Sequence, residues 1–145
     1  IDGAPAPLRG ARFANCVVAG SKEDEVMGYL TNWGDTIPSA ANYSFENSLV
    51  NTIDVDDSCF VNVVYDSVSV SPFGKEHFRL IDHDIFDYDF RLTAESTARG
   101  IASDGYLESC PMDIDGTPRT AGAVDAGCFQ YVEEEAENRN VKAEN

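Results

Sequence analysis

The stretch Phe13-Ala-Asn-Cys-Val-Val18 recurs as Phe45-Glu-Asn-Ser-Leu-Val50, and Phe60-Val-Asn-Val-Val64 repeats its front part. Short runs of Val and Phe, separated by clusters of Gly, Asn, Asp and Ser, are typical of β-strands rather than helices. No window of about 15 residues carries a clean stripe of apolar residues at helical spacing. The sequence therefore predicts an all-β fold.

The spacing of the copies indicates how these strands pair. Equivalent residues of successive coils in a parallel β-solenoid stack about 4.8 Å apart, so Asn15 and Asn47 would share a corner and their side chains would touch. The Phe rings would stack in the interior. The two full copies are 32 residues apart, which exceeds an ordinary coil, so a loop over residues 20–42 would bulge from one corner. The alternative is that unrelated strands share four residue types.

A second, shorter repeat lies downstream, with the copies His77-Phe-Arg-Leu80 and Asp89-Phe-Arg-Leu92. Each copy places Phe and Leu on one strand face and Arg on the other. The acidic residues between the copies suit a turn, and outward Arg side chains discourage further pairing at a sheet edge. The pattern predicts two edge strands that cap the sheet.

The charge of the chain narrows the class of partner. The chain has ten Lys and Arg residues and 26 Asp and Glu residues, which gives a formal net charge of −16. Nucleic acid is excluded because binding it requires clustered basic residues. Anionic lipid surfaces and polyuronates are disfavoured unless a cation bridges the carboxylates. No apolar stretch approaches the roughly 18 residues of a membrane span, so neutral glycans, peptides or another protein remain.

The length and composition predict one folded unit with two flanking segments. A chain of 145 residues corresponds to one domain. Residues 1–9 are predicted to form a linker, residues 10–132 the coils and cap, and residues 133–145 an acidic disordered tail. That tail has a single Val and too little apolar area to offset its ordering entropy.

Three further elements follow in a fixed order: Asp89-Phe-Arg-Leu92, Asp113-Ile-Asp-Gly-Thr-Pro-Arg119 and Val124-Asp-Ala-Gly-Cys-Phe-Gln-Tyr131. With the upstream Asn-Cys-Val-Val and Ser-Leu-Val copies, they make residues 13–131 resemble the C-terminal segment of secreted bacterial right-handed parallel β-helix proteins. This family is pectate-lyase-like in fold and is often described with a choice-of-anchor domain. Thr97, Cys128 and Gln130 depart from its usual Pro, Ala and Glu.

The resemblance implies the last two or three coils of a right-handed parallel β-helix with a C-terminal β cap. It also implies a bacterial protein that is secreted or held at the cell surface. Members that cleave polysaccharides do so with residues on upstream coils, so no catalytic centre is expected within this chain. The implied role is non-catalytic, with a surface for a neutral glycan or a surface protein. The alternative is the C-terminal fragment of a polysaccharide lyase or hydrolase whose catalytic coils lie upstream of Ile1.

Candidate ligand-binding residues lie in and beside the predicted loop. Tyr29 and Trp33 fall within it and Tyr43 at its far edge, among Thr, Asn and Asp residues. An exposed aromatic face can stack on a sugar ring while amides and carboxylates bond its hydroxyls. The alternative is that Trp33 folds down over the coils as a lid.

Two acidic motifs contain metal-ligand residue types but favour turns. In Asp113-Ile-Asp-Gly116 the carboxylates can accept backbone N–H groups, with Arg119 as a bidentate partner. The final EF-hand ligand is missing, so a weak calcium site is the alternative. Asp82 and Asp84 would share a strand face with His83 opposite, which favours a solvated turn over a zinc site. We therefore predict no metal site and no cofactor.

Four cysteines in a chain expected to be exported suggest disulfides. Cys110 and Cys128 flank the Asp-x-Asp-Gly turn, and a bridge between them would contribute about 3 kcal/mol in the chain-entropy picture. Cys16 takes the repeat position that Ser48 fills in the next copy, which suits a buried free thiol. We predict a Cys110–Cys128 disulfide, with Cys16 and Cys59 free.

Overall fold

The computed structural model of the protein describes residues 9–26, 42–53, 58–67 and 72–133, together with the backbone of residues 31–32 and 35–36. The predicted linker and tail therefore lie almost wholly outside the described residues. The described chain is all-β, as predicted: its only helical elements are two short 3-10 turns. No helix in this part of the chain is long and apolar enough to cross a membrane.

The described residues contain ten short strands. In chain order they are β1 (Ala11–Ala14), β2 (Val17–Val18), β3 (Thr31–Asn32), β4 (Asp35–Thr36), β5 (Tyr43–Glu46), β6 (Leu49–Asn51), β7 (Phe60–Val61), β8 (Val64–Asp66), β9 (Phe78–Asp82) and β10 (Asp87–Leu92). The strands β1, β2 and β5 to β8 carry the three sequence copies and are called the repeat region below.

The repeat region forms two small parallel sheets. One has the strand order β1-β5-β7 and the other the order β2-β6-β8. Phe13 aligns with Phe45 and Phe45 with Phe60, and the second sheet aligns Leu49 with both Val17 and Val64. Each copy thus contributes one strand to each sheet, and the predicted pairing of the copies is confirmed.

The aligned Phe rings stack on one another. The centroids of Phe13 and Phe45 are 4.8 Å apart with planes at 13°, and those of Phe45 and Phe60 are 5.5 Å apart at 8°. Phe45 is buried in the middle of the stack, whereas Phe13 on the edge strand is 43% exposed. The stack joins the three copies through side chains as well as backbone.

The repeated Asn residues have a backbone role that the sequence reading missed. Asn15, Asn47 and Asn62 all have positive φ, at 56°, 49° and 53°, a conformation that Asn tolerates better than most residues. The Asn62 amide donates to the Asn47 side-chain oxygen at 3.3 Å. The Asn15 amide bonds the backbone of Ser103 instead, donating at 3.0 Å and accepting at 2.8 Å. The predicted Asn15–Asn47 side-chain pair is corrected accordingly.

The predicted cap strands form an antiparallel hairpin of β9 and β10, called the hairpin below. Asp82 accepts from the backbone N–H groups of Asp84 and Ile85 across its turn. The expected common face of Phe and Leu is interrupted, because the register shifts between Asp89 and Leu92. Leu92 is consequently buried while Leu80 is 40% exposed.

The C-terminal segment, defined as residues 93–133, folds back and contacts the first sequence copy, residues 13–18. The N–H of Gly127 donates to the Asn15 carbonyl at 2.8 Å, and the segment is joined internally where Ala126 donates to Ala98. Its buried residues share one core with both other parts of the molecule: that core consists of Leu49, Leu92, Ala98 and Ala126. The segment thereby brings its acidic turn beside the hairpin.

Candidate functional site

A cleft of about 310 Å³ lies between the hairpin and the C-terminal segment. This volume is at the lower end of the range for small-ligand sites, about 300–1,000 Å³. Charged, amide and aromatic side chains share the lining with little aliphatic surface. The hairpin contributes Arg79, Arg91 and Leu92, and the C-terminal segment contributes Asp113, Asp115, Thr117, Phe129, Gln130, Tyr131, Val132 and Glu133.

Arg91 on β10 is held in the cleft by several contacts. Its Nε and Nη2 both donate to Oδ2 of Asp115, at 3.2 and 2.6 Å, and its Nη1 donates to Asp89 at 3.2 Å. The guanidinium carbon lies 5.2 Å from the centroid of the Phe129 ring. The hydrogen bond and charge of Asp115 raise the pKa of Arg91 above its ordinary value. The side chain is a fixed cation held between two carboxylates and an aromatic face.

Asp113 organises the turn that forms the other wall. Its Oδ1 accepts from the N–H groups of Asp115 and Thr117 at 2.9 and 2.8 Å, and its Oδ2 accepts from Gln130 N–H at 2.8 Å. Gly116 takes the positive φ of 85° that the turn requires. Burial favours a higher pKa for Asp113, but the backbone hydrogen bonds from Gln130, Thr117 and Asp115 together lower it. The predicted structural turn is confirmed, and the calcium alternative stays a prediction.

The prediction that Arg119 pairs with the carboxylates of this turn is wrong. Arg119 donates to the carbonyl oxygens of Asp125 and Gly127, both at 2.8 Å, and it is Arg91 that pairs with Asp115. The Arg119 position lies at the start of a chain reversal, so its side chain reaches the returning backbone before it reaches the turn carboxylates. No local pattern distinguishes these two destinations.

The buried carboxylate of Asp125 does not line the cleft but hydrogen-bonds two residues that do, Gln130 and Tyr131. Asp125 is 4% exposed and accepts from Gly100 N–H at 2.7 Å, Tyr131 N–H at 2.6 Å and the Gln130 amide at 2.9 Å. The neutral amide of Gln130 can donate to this carboxylate, as an ionised Glu at this position could not.

Two charged groups of the cleft have pKa values shifted away from neutrality, since the pKa of Arg91 is raised and that of Asp113 is lowered. The cleft presents these oriented donors and acceptors beside the half-buried rings of Phe129 and Tyr131.

Of the three aromatic residues predicted to bind ligand, only Tyr43 is among the described residues. Tyr29 and Trp33 lie outside them, so their binding role stays a prediction. Tyr43 on β5 is half-buried and meets the rings of Phe45 and Phe60 edge-on, at centroid distances of 6.2 and 6.4 Å. These two ring contacts are packing contacts within the repeat region.

All four cysteines are free thiols in the structure. The predicted Cys110–Cys128 disulfide is therefore not formed in it. The backbone groups of both residues are hydrogen-bonded, since Cys110 N–H donates to the Tyr106 carbonyl and the Cys128 carbonyl accepts from Ile114. Cys16 and Cys59 are half-buried, and burial raises the pKa of the Cys16 thiol.

The acidic hairpin turn is solvent-exposed, as expected. The Nδ1 of His83 lies 3.1 Å from the Tyr88 hydroxyl, and its ring centroid is 4.1 Å from that of Phe73. Within the described part of the chain, no group of three or more His, Cys, Asp or Glu side chains is arranged to hold a metal ion. The turn residues are instead bonded to one another.

Sequence reasoning missed the cleft because its walls are far apart in the chain. Arg91 and Asp115 are 24 residues apart, and only the return of the C-terminal segment brings them together. The one available signal was that Arg79 and Arg91 recur on matching strands flanked by carboxylates. Comparison of the chain with protein-family models, curated proteins and solved structures finds no match in any of the three.

Proposed function

We propose that this chain forms the terminal coils and cap of a right-handed parallel β-helix in an exported bacterial protein, and that its cap binds a neutral glycan. The coil assignment is supported by three sequence copies that pair in parallel and in register. Repetition of one residue pattern at equivalent strand positions is typical of solenoid proteins. The motif resemblance of residues 89–131 supports the exported, bacterial and cell-surface assignments.

The single observation that carries the binding proposal is the cleft wall formed by Arg91, Asp115 and Phe129. A sugar presents paired hydroxyls, which act as both donor and acceptor, next to an apolar C–H face. The Arg–Asp pair offers both hydrogen-bonding roles side by side, and the Phe129 ring offers the apolar contact. Because Arg91 is already held by two carboxylates, little side-chain entropy is lost when a ligand binds.

Electrostatics favour a neutral glycan over an acidic one. The cleft contains the cations Arg79 and Arg91 but also the carboxylates Asp113, Asp115 and Glu133, within a chain of net charge −16. A polyuronate would meet like charge both in the cleft and over the whole surface. A neutral chain of sugars meets no such barrier.

The proposal is tested by affinity electrophoresis in native gels that contain a soluble β-glucan, xylan or galactomannan. We expect wild-type migration to be retarded by at least one of these and not by polygalacturonate. Arg91→Ala and Phe129→Ala should each weaken retardation at least tenfold, which corresponds to about 1.4 kcal/mol. The matched control is Ile114→Ala, since Ile114 is 73% exposed in the same turn but does not line the cleft.

Two results would contradict this assignment. If no neutral polysaccharide retards the folded wild-type protein, the binding function is wrong. If Trp33→Ala abolishes retardation while Arg91→Ala leaves it intact, the glycan binds at the predicted loop and not in the cleft. Circular dichroism of each variant establishes that a loss of retardation is not a loss of fold.

A further inference from the structure

A second polar cluster, formed by Asn51, Asp66 and His77, lies where the repeat region meets the base of the hairpin. We call it the buried polar cluster. The exposed fraction is 0% for Asn51 and 6% for His77, and 7% for the Asp66 side chain. Asn51 ends β6 and Asp66 ends β8, and the two are aligned in the parallel ladder, so their side chains leave the sheet on the same face. None of the three lines the cleft.

Most of the polar atoms in this cluster are unsatisfied. Both amide atoms of Asn51, both ring nitrogens of His77 and Oδ2 of Asp66 are buried without a hydrogen-bond partner. Only Oδ1 of Asp66 is used, by the N–H of Ser67 at 2.8 Å. Buried polar groups in folded proteins are nearly always paired. So many unpaired donors and acceptors at one place indicate a bound species that contacts several of them.

The distance between two of these atoms indicates what that species is. Oδ2 of Asp66 and Nε2 of His77 are 3.2 Å apart, yet they are not aligned as a hydrogen bond. Two ligands of one tetrahedral zinc ion, at ordinary bond lengths, lie about 3.4 Å apart and both face the ion rather than each other. The separation fits two ligands of one ion as well as it fits a direct ion pair, and the missing hydrogen-bond alignment favours the ion.

We propose that the buried polar cluster binds a divalent transition-metal ion of the zinc class. The ligands are His77 Nε2, Asp66 Oδ2 and the Asn51 amide oxygen, with water in the remaining position. Imidazole and carboxylate ligands suit zinc, nickel and cobalt, whereas calcium requires six to eight oxygens. With an amide as third ligand, binding is weaker than at a site built of His and Cys.

The metal would join the hairpin to the repeat region. His77 directly precedes β9, its N–H donates to the Gly74 carbonyl and its carbonyl accepts from Thr93. A bond from its ring through an ion to Asp66 therefore connects the hairpin base to the end of β8. The role is structural, because the cluster is too buried to meet a substrate.

The test uses the fact that the chain has two histidines. His83, on the exposed hairpin turn beside Asp82 and Asp84, is the competing ligand, so the working protein is the full chain carrying His83→Ala. The exposed thiols are removed by Cys110→Ser and Cys128→Ser. Zinc at one equivalent should then shift the imidazole NMR signals of His77, cobalt should broaden them, and zinc should raise the melting temperature by several degrees. His77→Gln and Asp66→Asn should each weaken zinc binding at least tenfold.

Three outcomes would overturn the proposal. The His77 signals of the His83→Ala protein could stay unchanged with zinc and cobalt in excess. Nuclear Overhauser contacts from His77 to long-lived water, without any metal response, would show that the cluster holds internal water only. Unchanged zinc affinity in a folded His77→Gln variant would place the metal elsewhere. None of these results bears on glycan retention, so the two proposals fail separately.

Discussion

The repeat region and the C-terminal segment are held together in different ways. In the repeat region, strand backbones bond one another in parallel ladders and like rings stack, as Phe45 does between Phe13 and Phe60. In the C-terminal segment, residues 93–133, the structure has no strand, only one isolated bridge between Met112 and Pro118. Its order comes from side chains that bind backbone groups.

A single polar side chain therefore contributes far more to the stability of the C-terminal segment than to that of the repeat region. Asp113 accepts from three backbone N–H groups, and Arg119 donates to two carbonyls. Removing one such side chain leaves several partners unpaired at once. A ladder spreads the same task over many weaker, more replaceable contacts. Because the two regions are held together by different kinds of contact, they should respond to different classes of mutation. The following substitutions test this.

The largest effect is expected where the regions meet. Leu49 is 1% exposed and packs in the core with Leu92, Ala98 and Ala126. Leu49→Ala should lower the free energy of unfolding by about 2–5 kcal/mol, since it leaves a cavity. Urea unfolding should show both regions lost in one transition. Leu80→Ala, at an exposed position, is the control, and two separate transitions for Leu49→Ala would mean that the regions fold independently.

The second largest effect is expected from the loss of a carboxylate in the C-terminal segment. Asp125→Ala removes the acceptor of Gly100 N–H, Tyr131 N–H and the Gln130 amide. The free energy of unfolding should fall by about 2–3 kcal/mol, because three part-buried donors lose their common acceptor at once. Thermal unfolding compares it with Asp87→Ala, at an exposed position where β10 begins. Equal, small losses in both variants would show that this side chain does not hold the C-terminal segment together.

A smaller effect is expected within the repeat region. Asn62 has a φ of 53°, and Asn62→Ala should cost about 1 kcal/mol, because Ala is strained in this conformation. Asn62→Gly should be close to neutral, since glycine adopts positive φ freely. Guanidinium unfolding of the two variants separates the backbone effect from the loss of the Asn47 contact. An equal cost for Gly and Ala would assign the role to the side chain.

The smallest effect is a pH dependence at Asp113. Its folded pKa is lowered below the ordinary value of 3.8, so its contribution to stability is complete above that value. The contribution is lost as the pH falls through the lower folded pKa, where the carboxylate gains a proton. Asp113→Asn should therefore be less stable than wild type at pH 7, and the difference should shrink below about pH 4. A difference that grows on acidification would show that the sign is wrong.

The parts of the fold that follow local patterns could be predicted from the sequence. The recurrence of Phe13, Phe45 and Phe60 placed three strands in register, and the two Phe-Arg-Leu copies placed the hairpin. The loop side chains of Tyr29 and Trp33 lie outside the described residues. The turn at Asp113 was also predictable, because Asp-x-Asp-Gly has a known local geometry.

The cleft and the buried polar cluster could not be predicted in the same way. Arg91 meets Asp115, and Asp66 meets His77, only because the C-terminal segment and the hairpin fold back on the repeat region. Such contacts depend on chain reversals whose direction no short motif encodes, which is also why Arg119 was given the wrong partner. The repeated Asn was read as a side-chain ladder, although its φ is the property that all three copies share.

The stacking of the repeats is tested most directly by nuclear Overhauser contacts measured on this chain. We predict contacts from the Phe45 ring to both the Phe13 and Phe60 rings, and from the Asn15 side-chain amide to the Ser103 backbone N–H. Strong Hα–Hα contacts between the copies would instead indicate antiparallel strands. That result, or a Phe45 ring near neither partner, would contradict the stacked repeats on which the proposed function depends.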